Sequence, residues 1–185
     1  MIWFTADCHF GHTNIVKFCN RPFITVEQMD RQIIENFQEV VKEGDLIFFI
    51  GDTSFNLVDK YLDQIPGDKV LIRGNHDHKK YKKVDPVLSP YCMIKDVHLL
   101  KHNGNKFFLS HYSHRVWPES HFGSFHLYGH SHGTLPGFGR SMDIGVDTNN
   151  FYPYSIDEVA TILSAKRFEK VDHHRKAFED CKEPE

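Results

Sequence analysis

Five apolar segments of this chain each end in a short polar group that contains Asp, Asn or His. In chain order, these groups are Asp7-Cys8-His9, Gly51-Asp52, Gly74-Asn75-His76-Asp77, Ser110-His111 and Gly129-His130-Ser131-His132. Burying unpaired carboxylates and imidazoles costs free energy, so an ordinary hydrophobic core gives no reason for such groups. Metal coordination explains them together, because these side chains are common ligands of divalent ions.

The first half of the chain alternates predicted strands with predicted helices. Apolar runs predict strands over residues 2–6, 46–50 and 69–73, and helical spacing predicts helices over about residues 27–43 and 57–65. This alternation is typical of a parallel sheet with helical crossovers. Ligands of such sheets bind outside the carboxyl ends of the strands, which is where the polar groups stand.

Beyond Pro90 the pattern changes to short strands. They are predicted over residues 92–100, 106–110, 125–128 and 141–147. These short segments favour an antiparallel or mixed second sheet. Ser155 and Glu158 have capping-box spacing and begin one more helix, which runs to about Lys166.

The composition is that of a folded domain. The chain has 185 residues, of which 40% are hydrophobic, and its net charge of −3 gives no electrostatic reason for strong non-specific binding to nucleic acid. We predict one domain over residues 1–168 and a charged tail over residues 169–185. No stretch approaches the ~18–20 apolar residues that cross a bilayer, so we expect a cytoplasmic protein without membrane contact. The four cysteines lack Cys-x-x-Cys spacing and are expected to be reduced thiols.

Two of the polar groups have a spacing that suits metal binding. Alternation along an extended backbone places Asp7 and His9 on one side, and it does the same for His130 and His132. Each pair can therefore present two ligands to one site. Carboxylates together with imidazoles suit Mn, Fe, Zn or Ni better than Mg, which prefers oxygen ligands.

The five polar groups occur in the order seen in the calcineurin-like metallophosphoesterases, which the chain resembles over about residues 1–150. Its small frame resembles the bacterial and phage-type members of this superfamily. The resemblance implies a single-domain α/β fold, in which two mixed β-sheets pack as a sandwich flanked by helices. It also implies a binuclear metal centre. One ion is held by Asp7, His9 and His132, the other is held by Asn75, His111 and His130, and Asp52 bridges both.

The implied reaction is hydrolysis of a phosphate ester by a metal-bridging hydroxide. Two divalent ions about 3.5–4 Å apart can share such a hydroxide, and we expect Mn, with Fe, Zn or Ni as alternatives. His76 is not among the implied ligands, so it is the predicted catalytic residue, which protonates the leaving oxygen or stabilises the transition state by hydrogen bonding. Asp77 is predicted to orient His76 through a hydrogen bond.

Four further residues are candidate substrate ligands: His12, Arg21, Arg115 and His121. Arg21 suits a bidentate clamp on a phosphate, with an ordinary surface position as the alternative. The other three lie close to implied ligands in the sequence. The basic run over residues 79–83 is interpreted as a solvated surface, with attraction of an anionic ester as the alternative.

We therefore expect a dimetal-dependent phosphoesterase that favours phosphodiesters over monoesters. Its expected partner is a phosphate-ester substrate, such as a nucleotide or a nucleic-acid end. The diester preference rests on the Asn75-His76 pair and the small single-domain frame. The alternative enzyme is a phosphomonoesterase, with protein phosphatases included. The alternative from another class is a catalytically inactive metal-binding scaffold.

Overall fold

The structure of the protein, a computed structural model, describes residues 1–55, 58–77, 91–167 and 170. Within these residues the chain forms nine β-strands and four α-helices. The strands are β1 (Ile2–Thr5), β2 (Leu46–Phe49), β3 (Asp68–Ile72), β4 (Met93–Lys95), β5 (Val97–His102), β6 (Asn105–Ser110), β7 (Phe125–Tyr128), β8 (Ser141–Asp143) and β9 (Tyr154–Ser155). The helices are α1 (Ile15–Phe18), α2 (Val26–Val40), α3 (Val58–Leu62) and α4 (Ile156–Ser164). Short 3₁₀ turns occur at Ser120–Phe122 and Val146–Thr148.

The strands form two mixed sheets. The first has the order β4-β3-β2-β1-β9, in which β1 to β4 are parallel and β9 is antiparallel to β1. The second has the order β5-β6-β7-β8, in which β5 is antiparallel to β6 and the other pairs are parallel. The predicted α/β fold with two mixed sheets is confirmed.

Strand β2 shows how the first sheet supports two hydrophobic cores. Successive side chains of a strand point to opposite faces. Ile47 and Phe49 pack in one cluster with the apolar face of α2, which supplies Met29, Ile33 and Phe37. The intervening Phe48 packs in a second cluster with the second sheet, which supplies Phe107, Leu109, Phe125 and Leu127. The predicted sandwich flanked by helices follows from this alternation.

The helices begin where their caps predict. Thr25 accepts a hydrogen bond of 3.2 Å from the amide of Gln28, and Ser155 and Glu158 form a capping box. Helix α2 ends at Val40 instead of residue 43, because the next residue, Val41, turns to an extended conformation and buries its side chain. Helix α3 confirms the second predicted helix, although Leu57, at its expected start, lies outside the described residues.

The predicted strand over residues 92–100 is wrong as a single element. It consists of two strands in different sheets, because β4 pairs with β3 and β5 pairs with β6. Between them, Asp96 accepts two hydrogen bonds of 2.8 Å from Arg73, which fixes the chain where it passes from one sheet to the other. Strands β4 and β5 follow each other with the residue pattern of one continuous strand, so nothing in the sequence indicates that the chain changes sheets between them.

The last predicted strand, over residues 141–147, ends early at Asp143. The carboxylate of Asp143 accepts a hydrogen bond of 2.8 Å from the amide of Gly145, and the chain then enters a 3₁₀ turn. The elements β9 and α1 are additions to the prediction, since segments of two and four residues are too short for a periodic pattern.

Two predicted segments lie outside the described residues. They are the basic run over residues 79–83 and, apart from residue 170, the charged tail over residues 169–185. The boundary of the domain at residue 168 therefore stays a prediction. Among the described helices, none combines the length and the hydropathy that a membrane span needs.

Replacing Phe4 in the core between the sheets should strongly destabilise the fold. Phe4 is fully buried, and its ring lies 5.7 Å from the Phe48 ring and 5.9 Å from the Phe107 ring. We expect Phe4→Ala to lower the free energy of unfolding by about 3–5 kcal/mol, as urea denaturation would measure. The matched control is Phe122→Ala, at a side chain that is 77% exposed, with an expected change within about 0.5 kcal/mol. Equal losses in both variants would contradict the packing described.

Candidate metal centre

The implied ligands stand where strands of both sheets end. Asp7 and His9 follow β1, Asp52 follows β2, Asn75 follows β3, His111 follows β6, and His130 and His132 follow β7. Neighbouring parallel strands end at the same edge of a sheet, which brings each set together. A parallel bridge between Ala6 and Gly145 then joins the edges of the two sheets.

Five of these residues adopt left-handed backbone conformations, which are uncommon for residues other than glycine. The φ angle is +57° at Asp7, +52° at His9 and at Asp52, +67° at His130 and +47° at His132. Such conformations cost about 1–2 kcal/mol each, so the surrounding structure must hold them. The amides of Asp7 and His9 do so by donating hydrogen bonds of 3.0 Å to carbonyl groups just beyond β2.

Two glycines allow the ligands to approach one another. A Cβ atom at Gly51 would lie 2.2 Å from Nδ1 of His111, and one at Gly74 would lie 2.2 Å from Oδ1 of Asp52. Both distances are too short for real contacts. These positions therefore need glycine because the ligands pack directly against the backbone.

The first ligand group consists of Asp7, His9 and His132. Their potential ligand atoms lie within 4.8 Å of one another, and the rings of His9 and His132 stack at 5.3 Å. Oδ1 of Asp7 and Nε2 of His9 are buried and have no hydrogen-bond partner within the described part of the chain. Buried polar atoms without partners are costly, and a cation between them would remove that cost.

The second ligand group consists of Asn75, His111 and His130, and the potential ligand atoms of the two histidines lie within 4.8 Å of each other and of a carboxylate oxygen of Asp52. Nδ1 of His111 donates a hydrogen bond of 2.9 Å to the carbonyl of Ile50, which leaves the lone pair on Nε2. That nitrogen faces Oδ1 of Asn75 at 3.2 Å and Oδ2 of Asp52 at 3.6 Å. Three acceptor atoms thus converge, which is the arrangement that a divalent cation requires.

Asp52 lies between the two ligand groups. Its Oδ2 is 3.8 Å from Nε2 of His9 in the first group and 3.6 Å from Nε2 of His111 in the second. Its other oxygen, Oδ1, accepts a hydrogen bond of 3.0 Å from the amide of His76. The carboxylate of Asp52 therefore faces both groups at once. Together, the carboxylate, amide and imidazole atoms of this centre fit two divalent ions.

His76 lies at the mouth of the centre. Its Nε2 is 3.8 Å from Oδ2 of Asp52, and its ring is 5.5 Å from the ring of His9. The side chain is 42% exposed, in contrast to the buried ligands Asp7, His9, Asp52 and His111. The imidazole therefore stands between the ligand groups and solvent, where an incoming ester would meet it.

Asp77 supports Asp52 instead of His76. Its Oδ2 accepts hydrogen bonds of 2.8 Å from the amides of Asp52 and Gly74. The prediction that Asp77 orients His76 through a hydrogen bond is therefore wrong. The buried carboxylate joins the loops that follow β2 and β3, which sets the position of Asp52.

Arg21 and Asp147 orient His132. Nδ1 of His132 donates a hydrogen bond of 2.7 Å to Oδ2 of Asp147, so its other ring nitrogen is left for the centre. Arg21 holds Asp147 through a bidentate salt bridge. Its Nε donates a hydrogen bond of 2.7 Å to Oδ1, and its Nη2 donates one of 2.8 Å to Oδ2. Arg21 also donates to the carbonyl groups of Asp7, at 2.7 Å, and Cys8, at 3.1 Å.

These contacts overturn the predicted role of Arg21. Only 4% of the residue is exposed and its guanidinium is occupied by protein acceptors, so it has no donors to clamp a phosphate. The sequence reasoning also missed Asp147. The available signal was its place at the end of the last predicted strand, which matches the places of the other polar groups.

The other candidate substrate ligands have different surroundings. The His12 ring lies 5.4 Å from the ring of His9 and lines the same cleft. Arg115 instead stacks over Phe138, with its guanidinium carbon 3.4 Å from the ring centre. His121 precedes β7, whereas His130 follows it, so His121 lies at the opposite edge of the sheet. Of these three, the structure brings His12 to the centre and places His121 away from it, contrary to prediction.

Asp30 of α2 holds the loop that follows His9. Its two carboxylate oxygens accept hydrogen bonds of 3.1 and 3.2 Å from the amide of Gly11. Burial raises the pKa of Asp30 to about 6, although the hydrogen bond from Gly11 opposes that shift. The helix is thereby attached to the loop that carries His9 and His12.

Burial also sets the protonation of the ligands. It raises the pKa of Asp7 well above its usual range, and the nearby carboxylates of Asp143 and Asp52 raise it further. Burial lowers the pKa of His9 to about 2 and also lowers the pKa of His111. Neutral imidazoles keep their lone pairs for a cation, whose positive charge would also relieve the repulsion among the carboxylates.

The chain is similar to proteins from several organisms. No family model matches it. The uncharacterized protein MJ1445 of Methanocaldococcus jannaschii is 31% identical over 180 residues, which cover 88% of this chain and 90% of that protein. A protein of unknown function from Aquifex aeolicus, AQ665, has a solved structure with a TM-score of 0.70 and 26% identity, covering 88% of this chain and 98% of that one.

Two further solved structures are more distant. A predicted phosphoesterase from Streptococcus pneumoniae has a TM-score of 0.39 and 13% identity, covering 78% of this chain and 70% of its own. The phosphoesterase YfcE from E. coli has a TM-score of 0.40 and 18% identity, covering 78% of this chain and 77% of its own.

Asp147→Asn should weaken cation binding to the first ligand group. The neutral amide accepts a weaker hydrogen bond from Nδ1 of His132 than the carboxylate does, so we expect Mn²⁺ affinity at one site to fall about 10–100-fold in equilibrium dialysis. Asp96→Asn is the matched control, because Asp96 also pairs with an arginine but lies where the chain passes between the sheets. Unchanged affinity in a folded Asp147→Asn protein would contradict the proposed orientation of His132.

Asp30→Asn should change how stability depends on pH. The folded protein keeps a proton on Asp30 up to a pKa of about 6, whereas the unfolded chain loses it near pH ~3.9. The contribution of Asp30 to stability therefore falls as pH rises through this interval. We expect the metal-free variant to lose less stability than the parent between pH 4 and 6 in urea denaturation. The two proteins should differ least below pH 4, and parallel curves throughout would contradict this assignment.

Proposed function

We propose that this chain, which belongs to one family with the MJ1445 protein, is a metallophosphoesterase that hydrolyses phosphodiesters with two divalent metal ions. The observation that carries the proposal is the pair of ligand groups on either side of Asp52. One of them contains buried polar atoms that have no hydrogen-bond partner among the described residues, and the other contains converging acceptor atoms. Both features suit divalent cations and have no role in an ordinary core.

Each cation would have its own set of ligands. Asp7, His9 and His132 would hold one, Asn75, His111 and His130 would hold the other, and Asp52 would contact both. When bound, two such cations activate water and neutralise the charge on the phosphate oxygens. Mn²⁺ suits this mixture of carboxylate, amide and imidazole ligands, and Fe, Zn or Ni are alternatives.

The surrounding residues hold these ligands rigidly for catalysis. Asp77 fixes the backbone of Asp52, and the Arg21–Asp147 pair fixes both His132 and the turn at Asp7. Substrate therefore meets ligands whose positions are set before it binds. Such preorganisation avoids the cost of rearranging charges during the reaction.

His76 is the proposed proton donor. The imidazole lies at the mouth of the centre, with Nε2 3.8 Å from Oδ2 of Asp52 and enough exposure to meet the leaving group. Protonation of the leaving oxygen is the step that an alcohol needs, because an alkoxide leaves poorly at neutral pH.

The charge of the cleft favours a diester. The described residues that line it include no Arg or Lys, and Arg21 is occupied in the interior. A phosphomonoester dianion carries one more negative charge than a diester and gains more from such side chains. A cleft lined by imidazoles therefore suits the singly charged ester better.

Turnover of two aryl esters tests the proposal. With Mn²⁺ added, bis-p-nitrophenyl phosphate should be hydrolysed faster than p-nitrophenyl phosphate. For a diester with an alkyl leaving group, whose oxygen needs a proton, His76→Ala should reduce kcat about 10²–10⁴-fold, and the loss should be smaller for bis-p-nitrophenyl phosphate because p-nitrophenolate leaves without one. The variant should keep its Mn²⁺ content, since the imidazole moves a proton and binds no cation. His102→Ala, in β5 away from the centre, is the matched control and should keep the parent rate.

Each other outcome selects a different function. Faster hydrolysis of the monoester would favour a phosphomonoesterase. Loss of Mn²⁺ from His76→Ala would place His76 among the ligands. A Mn²⁺-loaded protein that hydrolyses neither ester would favour the inactive scaffold.

A further inference from the structure

Aromatic side chains stand exposed beside the ligand groups. Phe18 is 74% exposed, Phe55 is 44% exposed and Tyr112 is 49% exposed. Large apolar side chains scattered singly over a surface are common, but aromatic rings gathered at the mouth of a polar centre indicate contact with a ligand. The ring contacts of each aromatic side chain show which ligand group it adjoins.

Phe18, His12 and Phe55 form a continuous surface, which we call the aromatic shelf. The ring of His12 stacks on Phe55 at 4.7 Å with an interplanar angle of 9°, and it meets Phe18 edge-on at 6.3 Å. The shelf adjoins the first ligand group, because the His12 ring is 5.4 Å from that of His9. It also adjoins the proton donor, with the Phe55 ring 6.4 Å from that of His76.

Tyr112 borders the second ligand group instead. Its ring lies 4.7 Å from the ring of His130 and 5.2 Å from the ring of His111. Its hydroxyl donates a hydrogen bond of 3.4 Å to Oδ1 of Asn75. Exposed aromatic surfaces thus adjoin both ligand groups, as a phosphate with two organic substituents would require.

We propose that the aromatic shelf binds the nucleobase of a nucleotide-type phosphodiester, with the second organic group of the ester directed toward Tyr112. The inference rests on the proposed phosphodiesterase function and names its substrate class. Flat bases stack on aromatic side chains with little dependence on sequence, because every base presents a π-face. The phosphate between the two organic groups then falls over the ligand groups.

Two features favour a nucleoside over a simple aryl group. Nδ1 of His12 is buried beside the shelf and has no hydrogen-bond partner among the described residues, so a polar edge of a base or sugar that reaches it would supply that partner. The cleft that contains His12, Phe18 and His76 has a volume of about 500 Å³, which is the scale of a site for a small molecule. A nucleoside supplies both a flat face and polar edges.

Binding measurements separate this inference from catalysis. Isothermal titration of the Mn²⁺-loaded protein would compare adenosine 5′-monophosphate with phenyl phosphate and inorganic phosphate. The parent should bind the nucleotide more tightly than phenyl phosphate. Phe18→Ala and Phe55→Ala should each weaken the nucleotide roughly tenfold and leave inorganic phosphate unchanged. Phe122→Ala, at an exposed phenylalanine at the opposite edge of the sheet, is the matched control and should bind all three as the parent does.

The outcomes distinguish the shelf from the reaction. Unchanged nucleotide affinity in both shelf variants would overturn the inference, even if the protein hydrolyses bis-p-nitrophenyl phosphate. Equal loss for inorganic phosphate would also overturn it, because the variants would then disturb the ligand groups. Equal affinity of the parent for the nucleotide and phenyl phosphate would overturn the nucleoside assignment. Selective loss of the nucleotide in a protein without turnover would support the shelf and contradict only the proposed reaction.

Discussion

The buried guanidinium of Arg21 connects the segments on which the metal centre depends. It holds the carboxylate that orients His132, and it also binds the carbonyl of Asp7 at the end of β1. A charge in this position is costly to bury unless a partner and full hydrogen bonding compensate it, and Asp147 supplies the partner. One side chain thus joins Asp7 to Asp147, which are far apart in the sequence, so that the first ligand group forms only in the folded protein.

That constraint explains how the chain tolerates a strained and polar centre. Left-handed conformations at Asp7, His9 and Asp52 are unfavourable, and the buried carboxylates repel one another. Two hydrophobic cores, one on each face of the first sheet, hold the strand ends that carry these residues. The stability of the cores therefore offsets the strain at the centre, and bound cations would remove much of the electrostatic cost.

The sequence predicted most of the strands and the place of the polar residues after them, because the apolar pattern and the chemistry of those residues both point to the same strand ends. Apolar runs indicated the strands, and the polar residues after them indicated one edge, because parallel strands end together. The sequence did not predict the role of a side chain where that role depends on one contact with a residue far away in the chain. Arg21 has the chemistry of a phosphate clamp and no local sign of burial, yet Asp147, 126 residues away in the chain, occupies it. Asp77 likewise adjoins His76 in sequence but binds the backbone of Asp52.

The sequence by itself determined the fold class and the supply of Asp, Asn and His at the strand ends. These follow from side-chain chemistry and from patterns within short segments. The tertiary structure alone decided which side chains converge, which nitrogen of His111 and of His132 is left for a cation, and which aromatic rings border the cleft. Those features depend on φ angles and on contacts between remote segments, and neither leaves a regular pattern in the sequence.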